Sequence, residues 1–223
     1  MSELRTVTQQ CPHCSKKSEL EIYSSINVSL DPLLKKKILD SSLFDWECPH
    51  CHETFNLLYG FLYHDMKDDY MIFFEPDEKP CTELVKDSEM PEMPAMFNMD
   101  GYKFRQVHGL NRLKEKIHII DAQLNDIAIE LLKLYLKIHN EEIQAFDVYF
   151  ESLEDGKFTF AFYNPEAKKW GSFSLPADAY TENLKLIEQN EEFMPAKNMC
   201  VEVNERWVHE RIRLYMENHS PSK

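Results

Sequence analysis

Two copies of one tetrapeptide, Cys11-Pro12-His13-Cys14 and Cys48-Pro49-His50-Cys51, stand 33 residues apart. Each places two thiols on a tight turn, and four thiolates together satisfy the tetrahedral preference of zinc. The expected ligand set is therefore Cys11, Cys14, Cys48 and Cys51, holding one structural Zn²⁺. Pro12 and Pro49 fix φ in each turn and reduce the entropy lost when the sulfurs converge. His13, His50 and His52 read as exposed turn residues, because four cysteines already fill the shell. A site closed by four thiolates keeps no position for water or substrate, which argues against zinc hydrolysis.

The same tetrapeptide also serves thiol–disulfide oxidoreductases, in which a helix N-terminus acidifies the first thiol. That use needs a strand before the motif and a helix after it. Here Cys14 leads into Ser-Lys-Lys-Ser and an alternating run, and Cys51 leads into another extended run. Metal is favoured, and a thiol–disulfide oxidoreductase or redox sensor is the alternative. No other constellation points to catalysis. The five glycines form neither a dinucleotide fingerprint nor a phosphate loop, and no serine sits in an elbow motif. Cys81 and Cys200 are lone thiols and read as small buried apolar residues. Met90, Met93, Met96 and Met99 recur every third residue beside Pro91 and Pro94, the period of a polyproline II helix. Thioethers suit Cu(I), but an acidic intracellular chain gives no reason to carry it. The segment reads instead as a loop that covers an apolar groove or docks a partner.

The formal charge is −14 over 223 residues, divided as −8 in residues 1–105, +1 in 106–140 and −7 in 141–223. Such a surface repels phosphate backbones, so nucleic acid is disfavoured and protein is the expected partner. Lys35-Lys36-Lys37 reads as a solvated helix face. No apolar run approaches the ~20 residues that span a bilayer, and residues 1–10 carry no apolar signal region. The expected location is the cytoplasm, where thiols stay reduced and bind metal rather than pair as disulfides.

The elements that must position the cysteines follow from periodicity. Leu20, Ile22, Ile26, Val28 and Leu30 share one parity and predict a half-buried strand. Asp31-Pro32 ends it and starts a short helix, with Asp31 as N-cap and Pro32 in the first turn. Residues 54–63 read as extended, and a polar turn at 64–69 joins them to a second run at 70–74, a hairpin signal. Residues 75–103 read as a linker or a wrapped loop. Spacings of three and four from Val107 to Ile120, then from Leu124 to Ile138, predict two helices that pack on each other, with Asp121 capping the second. Strands are expected over 143–150, 157–163 and 170–175, and a helix over 177–189. A short strand near 200–203 and a helix over 205–218 capped by Asn204 complete the chain.

The paired Cys-Pro-x-Cys motifs, with this strand and Asp-Pro helix between them, resemble the CpXC domain family. Leu62-Tyr63-His64-Asp65 with Tyr70-Met71-Ile72 is similar to its hairpin. Leu110-Asn111-Arg112-Leu113 with Glu115-Lys116-Ile117, and then Glu130-Leu131-Leu132-Lys133, are similar to the helices that follow. The resemblance covers residues 8–75 and 105–137, and it implies a zinc-binding domain without naming a reaction. The expectation is thus an α+β protein in three parts. Residues 1–104 form a zinc-ribbon-like domain with an inserted strand and helix, 105–140 a helical hairpin bridge, and 141–223 a small α+β domain. The expected function is that of a non-enzymatic, zinc-stabilised interaction module.

Overall fold

The computed structural model of the chain describes residues 1–77, 101–196 and 199–219. Among them the chain is α+β, with five α-helices and ten strands, and falls into two compact units. Residues 1–77 and 101–110 make the first, and the described residues from 111 onward make the second. Both helices expected as a bridge belong to the second unit from Asn111 on. Cys81 and the methionines at 90, 93, 96 and 99 lie outside the described residues. None of the described helices is long and apolar enough to cross a membrane.

The first unit is built on a mixed five-stranded sheet of order β1-β2-β5-β6-β7. Its strands are β1 (Glu3–Gln10), β2 (Lys17–Asn27), β5 (Phe61–Asp65), β6 (Tyr70–Glu75) and β7 (Lys103–His108). Strands β1 and β2 pair antiparallel from Glu3↔Ser25 to Gln10↔Lys17. The mostly polar residues 3–10 therefore form a strand that hydropathy does not announce. It lies at the sheet edge with most of its side chains in water, so it needs no alternation. Strand β2 buries Leu20, Ile22 and Ile26, as its parity predicts. It ends at Asn27, which leaves Leu30 exposed rather than buried.

Strand β2 runs parallel to β5, so the chain between them must cross over. The crossover contains helix α1 (Pro32–Leu39), a single 3-10 turn, and the two-stranded β3 (Asp45–Glu47) and β4 (Thr54–Asn56). The extended stretch expected over 54–63 is thus two strands, in different sheets. Asp31 does precede α1, but its side chain makes no cap; its carboxylate accepts from the Ser2 hydroxyl and so ties down the chain start. Lys35 is not purely solvated either. It reaches 3.3 Å to the buried carboxylate of Asp65, which also accepts from Ser29 Oγ and the Lys67 N–H. Beneath α1, Phe44 is enclosed by the rings of Tyr59, Phe61 and Phe74.

Val107 was expected to begin a helix, but it pairs within β7, and α2 (Leu110–Asp121) starts after Gly109. The glycine turns the chain at φ 85°, a left-handed value that favours glycine. In the second unit, α3 (Asp126–His139) is capped by Asn125, whose side chain accepts from the N–H groups of Ile127 and Ala128. Asp121, expected as that cap, is instead the last residue of α2.

Helix α3 is buried almost all round. Ile127, Ala128, Leu131 and Leu134 face a core built with α4 (Asp178–Gln189) and α5 (Glu205–His219), around Ile187, Phe193, Trp207 and Val208. Ile129, Leu132 and Leu136 face Phe150, Phe158 and Phe160 on an antiparallel sheet. That sheet is β8 (Val148–Glu154), β9 (Lys157–Asn164) and β10 (Lys169–Pro176), in the order β10-β9-β8. The expected cap at Asn204 forms, with Oδ1 accepting from Trp207 N–H at 2.9 Å.

Ion pairs inside this unit tie α2 to α3. Lys116 meets Asp126 at 3.0 Å, and Lys133 lies between Glu115 at 3.0 Å and Glu130 at 2.8 Å. Burial alone would lower the Lys133 pKa, but the two carboxylates outweigh it and hold the ammonium firmly protonated. Burial raises the Glu130 pKa, opposed by Lys133. Glu115 does more than Glu130, since its Oε1 also accepts from Phe150 N–H on the free edge of β8 at 2.7 Å. Removing it leaves a buried cation half-neutralised and a buried donor without an acceptor. Glu115→Ala is expected to cost about 3–5 kcal/mol by denaturant unfolding. Glu130→Gln should cost less than half as much, because Glu115 still neutralises Lys133. Equal losses would show that the link to β8 contributes nothing.

Candidate metal centre

Each cysteine pair sits where two antiparallel strands must be joined. Cys11–Cys14 connects β1 to β2, and Cys48–Cys51 connects β3 to β4. The two turns share one backbone pattern. Cys11 O accepts from Ser15 N–H at 2.9 Å, and Cys11 N–H donates to Lys16 O at 2.9 Å. Cys48 O accepts from His52 N–H at 2.9 Å, and Cys48 N–H donates to Glu53 O at 3.0 Å. Ser15 and His52 occupy equivalent places and both turn left-handed, at φ 61° and 60°. The sequence shows the cysteine repeat but hides this one, because neither position is glycine. The burial pattern repeats as well: Cys11 and Cys48 are enclosed, whereas Cys14 and Cys51 are half-buried.

The two turns face each other across a narrow gap. Cys11 Sγ lies 3.7 Å from Cys51 Sγ, and Cys14 Sγ lies 3.8 Å from Cys48 Sγ. All four sulfurs fall within 4.8 Å of one another. The first cysteine of one turn thus meets the second cysteine of the other, as an approximate twofold arrangement requires. A regular tetrahedron with metal–sulfur bonds of about 2.3 Å has edges of about 3.8 Å. The closest contacts match that edge and are far longer than the ~2.05 Å of a disulfide. The four predicted residues therefore converge on one point, and the described residues contain no other such group of His, Cys, Asp and Glu.

Electrostatics set two thiols of this cluster apart. Burial raises the Cys48 thiol, but the N–H groups of His50 and Cys51 outweigh it and bring the pKa down to about 6. Cys51 is lowered by the Glu53 N–H, yet burial and the thiols of Cys48, Cys14 and Cys11 push it up to about 12. The backbone favours one thiolate, and that thiolate holds back the next. A bound cation would relieve that opposition between Cys48 and Cys51.

Two of the three neighbouring histidines have other partners. His52 Nδ1 lies 2.9 Å from Glu47 Oε1, and the His13 ring leans on Phe55, which in turn packs edge-on against Trp46. Cys200 is buried in the second unit and is not a member of the cluster. Helix N-termini play no part, since β2 follows Cys14 and β4 follows Cys51. What sequence reasoning missed is β1, the strand that carries the first turn. Its eight residues are mostly polar and mostly exposed, and none is buried, so only its pairing with β2 gives it away.

Comparison with known proteins agrees with this geometry. The family described as CpXC protein matches residues 9–133, which is more than half of the chain and includes both cysteine pairs. No curated protein and no solved structure matches. The chain belongs to the CpXC family.

Proposed function

We propose that Cys11, Cys14, Cys48 and Cys51 hold one structural Zn²⁺, and that the first unit is a zinc-ribbon-like module that binds protein and catalyses no reaction. The observation that carries this reading is the pair of cross-turn contacts at 3.7 and 3.8 Å, the edge length of a tetrahedral tetrathiolate site. Zinc favours that geometry, has no redox chemistry of its own, and with four thiolates leaves no open position. Its role is to lock the β1–β2 turn against the β3–β4 turn.

A protein partner is supported by one surface of this unit. Leu30, Leu33 and Met66 are exposed, Leu33 at 74%. Leu30 and Met66 flank Ser29, whose Oγ accepts from Met66 N–H at 2.9 Å, and Leu33 stands one turn further along the chain. Large apolar side chains grouped this way favour a protein over a polyanion. The acidic balance of the chain points the same way, and the cytoplasm is the compartment that suits reduced thiolates.

The oxidoreductase alternative needs one Cys-x-x-Cys pair acting by itself at a helix N-terminus. The closest sulfur contacts instead join different pairs, and both pairs are followed by strands. Purified protein is expected to contain about one zinc per chain, with thiols inert to mild oxidant. Metal-free protein whose Cys11 and Cys14 cycle readily through a disulfide would overturn the reading.

Two further outcomes follow from the same geometry. Chelation should release amide-exchange protection at residues 10–17 and 45–56, while β5, β6 and the second unit keep theirs. Uniform loss everywhere would contradict a local clamp. At the left-handed position of the first turn, Ser15→Gly should be tolerated. Ser15→Val should cost about 1–2 kcal/mol and weaken zinc retention, because a β-branched side chain resists that conformation. Equal zinc retention in both variants would show that the turn is not strained.

A further inference from the structure

The second unit carries a hollow of about 480 Å³ on the outer face of its three-stranded sheet, far in character from the cysteine centre. Its size falls within the range of small-molecule sites. Its depth comes from side-chain size along one row of the sheet. Ala161, on the middle strand, stands between Tyr149 on β8 and Ser172 on β10. The small alanine leaves space that a larger residue would fill. Helix α2 walls one side with Asn111, Lys114 and His118, positions that share one helical face.

Trp170 sets the other side and is 57% exposed. Its indole is not a stray surface ring. It lies 5.4 Å from Tyr163 on β9 and 6.2 Å from Tyr149 on β8, centroid to centroid, so rings on the other two strands flank it beside the hollow. Gly171 fixes the strand beneath. A Cβ there would come within 2.3 Å of the end of the Phe162 ring, so any larger residue at this position requires that ring to shift.

The ring geometry selects among ligands. Trp170 and Tyr149 are inclined at 55°, so they form no parallel slot in which a planar base could be sandwiched. The indole, more than half exposed, offers aromatic surface at the hollow. The polar groups around it both donate and accept: Lys114 donates, Glu151 accepts, and Asn111, His118 and Ser172 do either. An anion would be matched by donors alone, and a cation by acceptors alone. A pyranose ring offers the complement of this site, with one apolar C–H face for the indole and hydroxyls that donate and accept around its rim. We propose that this hollow is a binding site for a neutral saccharide, seated on Trp170 and hydrogen-bonded from the exposed face of α2 and from Glu151. It is independent of the zinc reading.

The test is titration of the full-length protein with a panel of neutral gluco-, galacto-, manno- and N-acetylglucosamine oligosaccharides, followed by tryptophan emission and calorimetry. Trp46 belongs to the first unit and Trp207 is buried, so Trp170 is the reporter placed at the hollow. At least one oligosaccharide should give a saturable change. Trp170→Ala should abolish it, and Ala161→Leu should weaken binding by about tenfold or more, with thermal midpoints unchanged. Since Ala161 and Trp170 lie on the outer face, loss of binding without loss of folding separates the site from the scaffold. No saturation by any member of the panel would overturn the proposal. So would binding that survives both substitutions, or a nucleotide or an indole derivative that saturates the hollow where the saccharides do not.

Discussion

Convergence of four sulfurs within 4.8 Å is the constraint on which the first unit depends. Two turns distant in sequence must be brought face to face, and each must present one enclosed and one half-buried thiol. The mostly exposed β1 is held by its pairing with β2, by Ser2 at its start, and by whatever fixes the far end of that ribbon. The three-residue strands β3 and β4 are shorter still, too short to be stable as an isolated hairpin. Each weak hairpin gains a firm end from the shared cluster. The 33 intervening residues are then explained, because they contain β2, α1 and the approach to β3, the pieces needed for a parallel crossover to β5.

The second unit solves a different problem. Its central helix has apolar residues facing both a helical core and a sheet, so little of its surface is left for water. Charges on α3 and on its neighbour α2 are therefore buried with it, and each is paired. Buried ion pairs of this kind add little stability compared with well-packed apolar residues, but breaking one is costly. Their effect is on register. Lys133 fits between Glu115 and Glu130 in one arrangement of the two helices, and Glu115 reaches the β8 edge only in that arrangement.

Legibility in the sequence followed the same physics. The cysteine cluster was readable because metal ligands are chemically specific and the tetrapeptide is duplicated. Helices α3, α4 and α5 and strands β9 and β10 were readable because one-sided or complete burial imposes a clear pattern. Strand β1 was not, since an edge strand without a buried face has no alternation to show. Val107 misled because its spacing to Leu110 and Leu113 fits a helix, while the strand it belongs to is fixed by pairing with Phe74. Local preference placed Asp121 as a cap; the chain used Asn125, four residues later, after a turn through left-handed Gln123 at φ 56°. Lys35 looked solvated because its partner, Asp65, is thirty residues away and reached only through the fold.

The family match and the folding units do not share a boundary, and the reason is physical. The match ends at residue 133, inside α3. Up to that point α3 has already exposed Ile127, Leu131, Ile129 and Leu132, whose partners are Phe150, Phe158 and Phe160 in the sheet and Ile187, Phe193 and Val208 around α4 and α5. Glu115 and Lys133 also lie within the match, yet the Phe150 N–H that Glu115 accepts lies outside it. A chain cut at the end of the match would present two apolar faces and a buried ion cluster to water. The matched segment therefore includes the complete four-cysteine cluster but only part of the second core. In this chain the residues beyond 133 supply much of the core against which those helices pack.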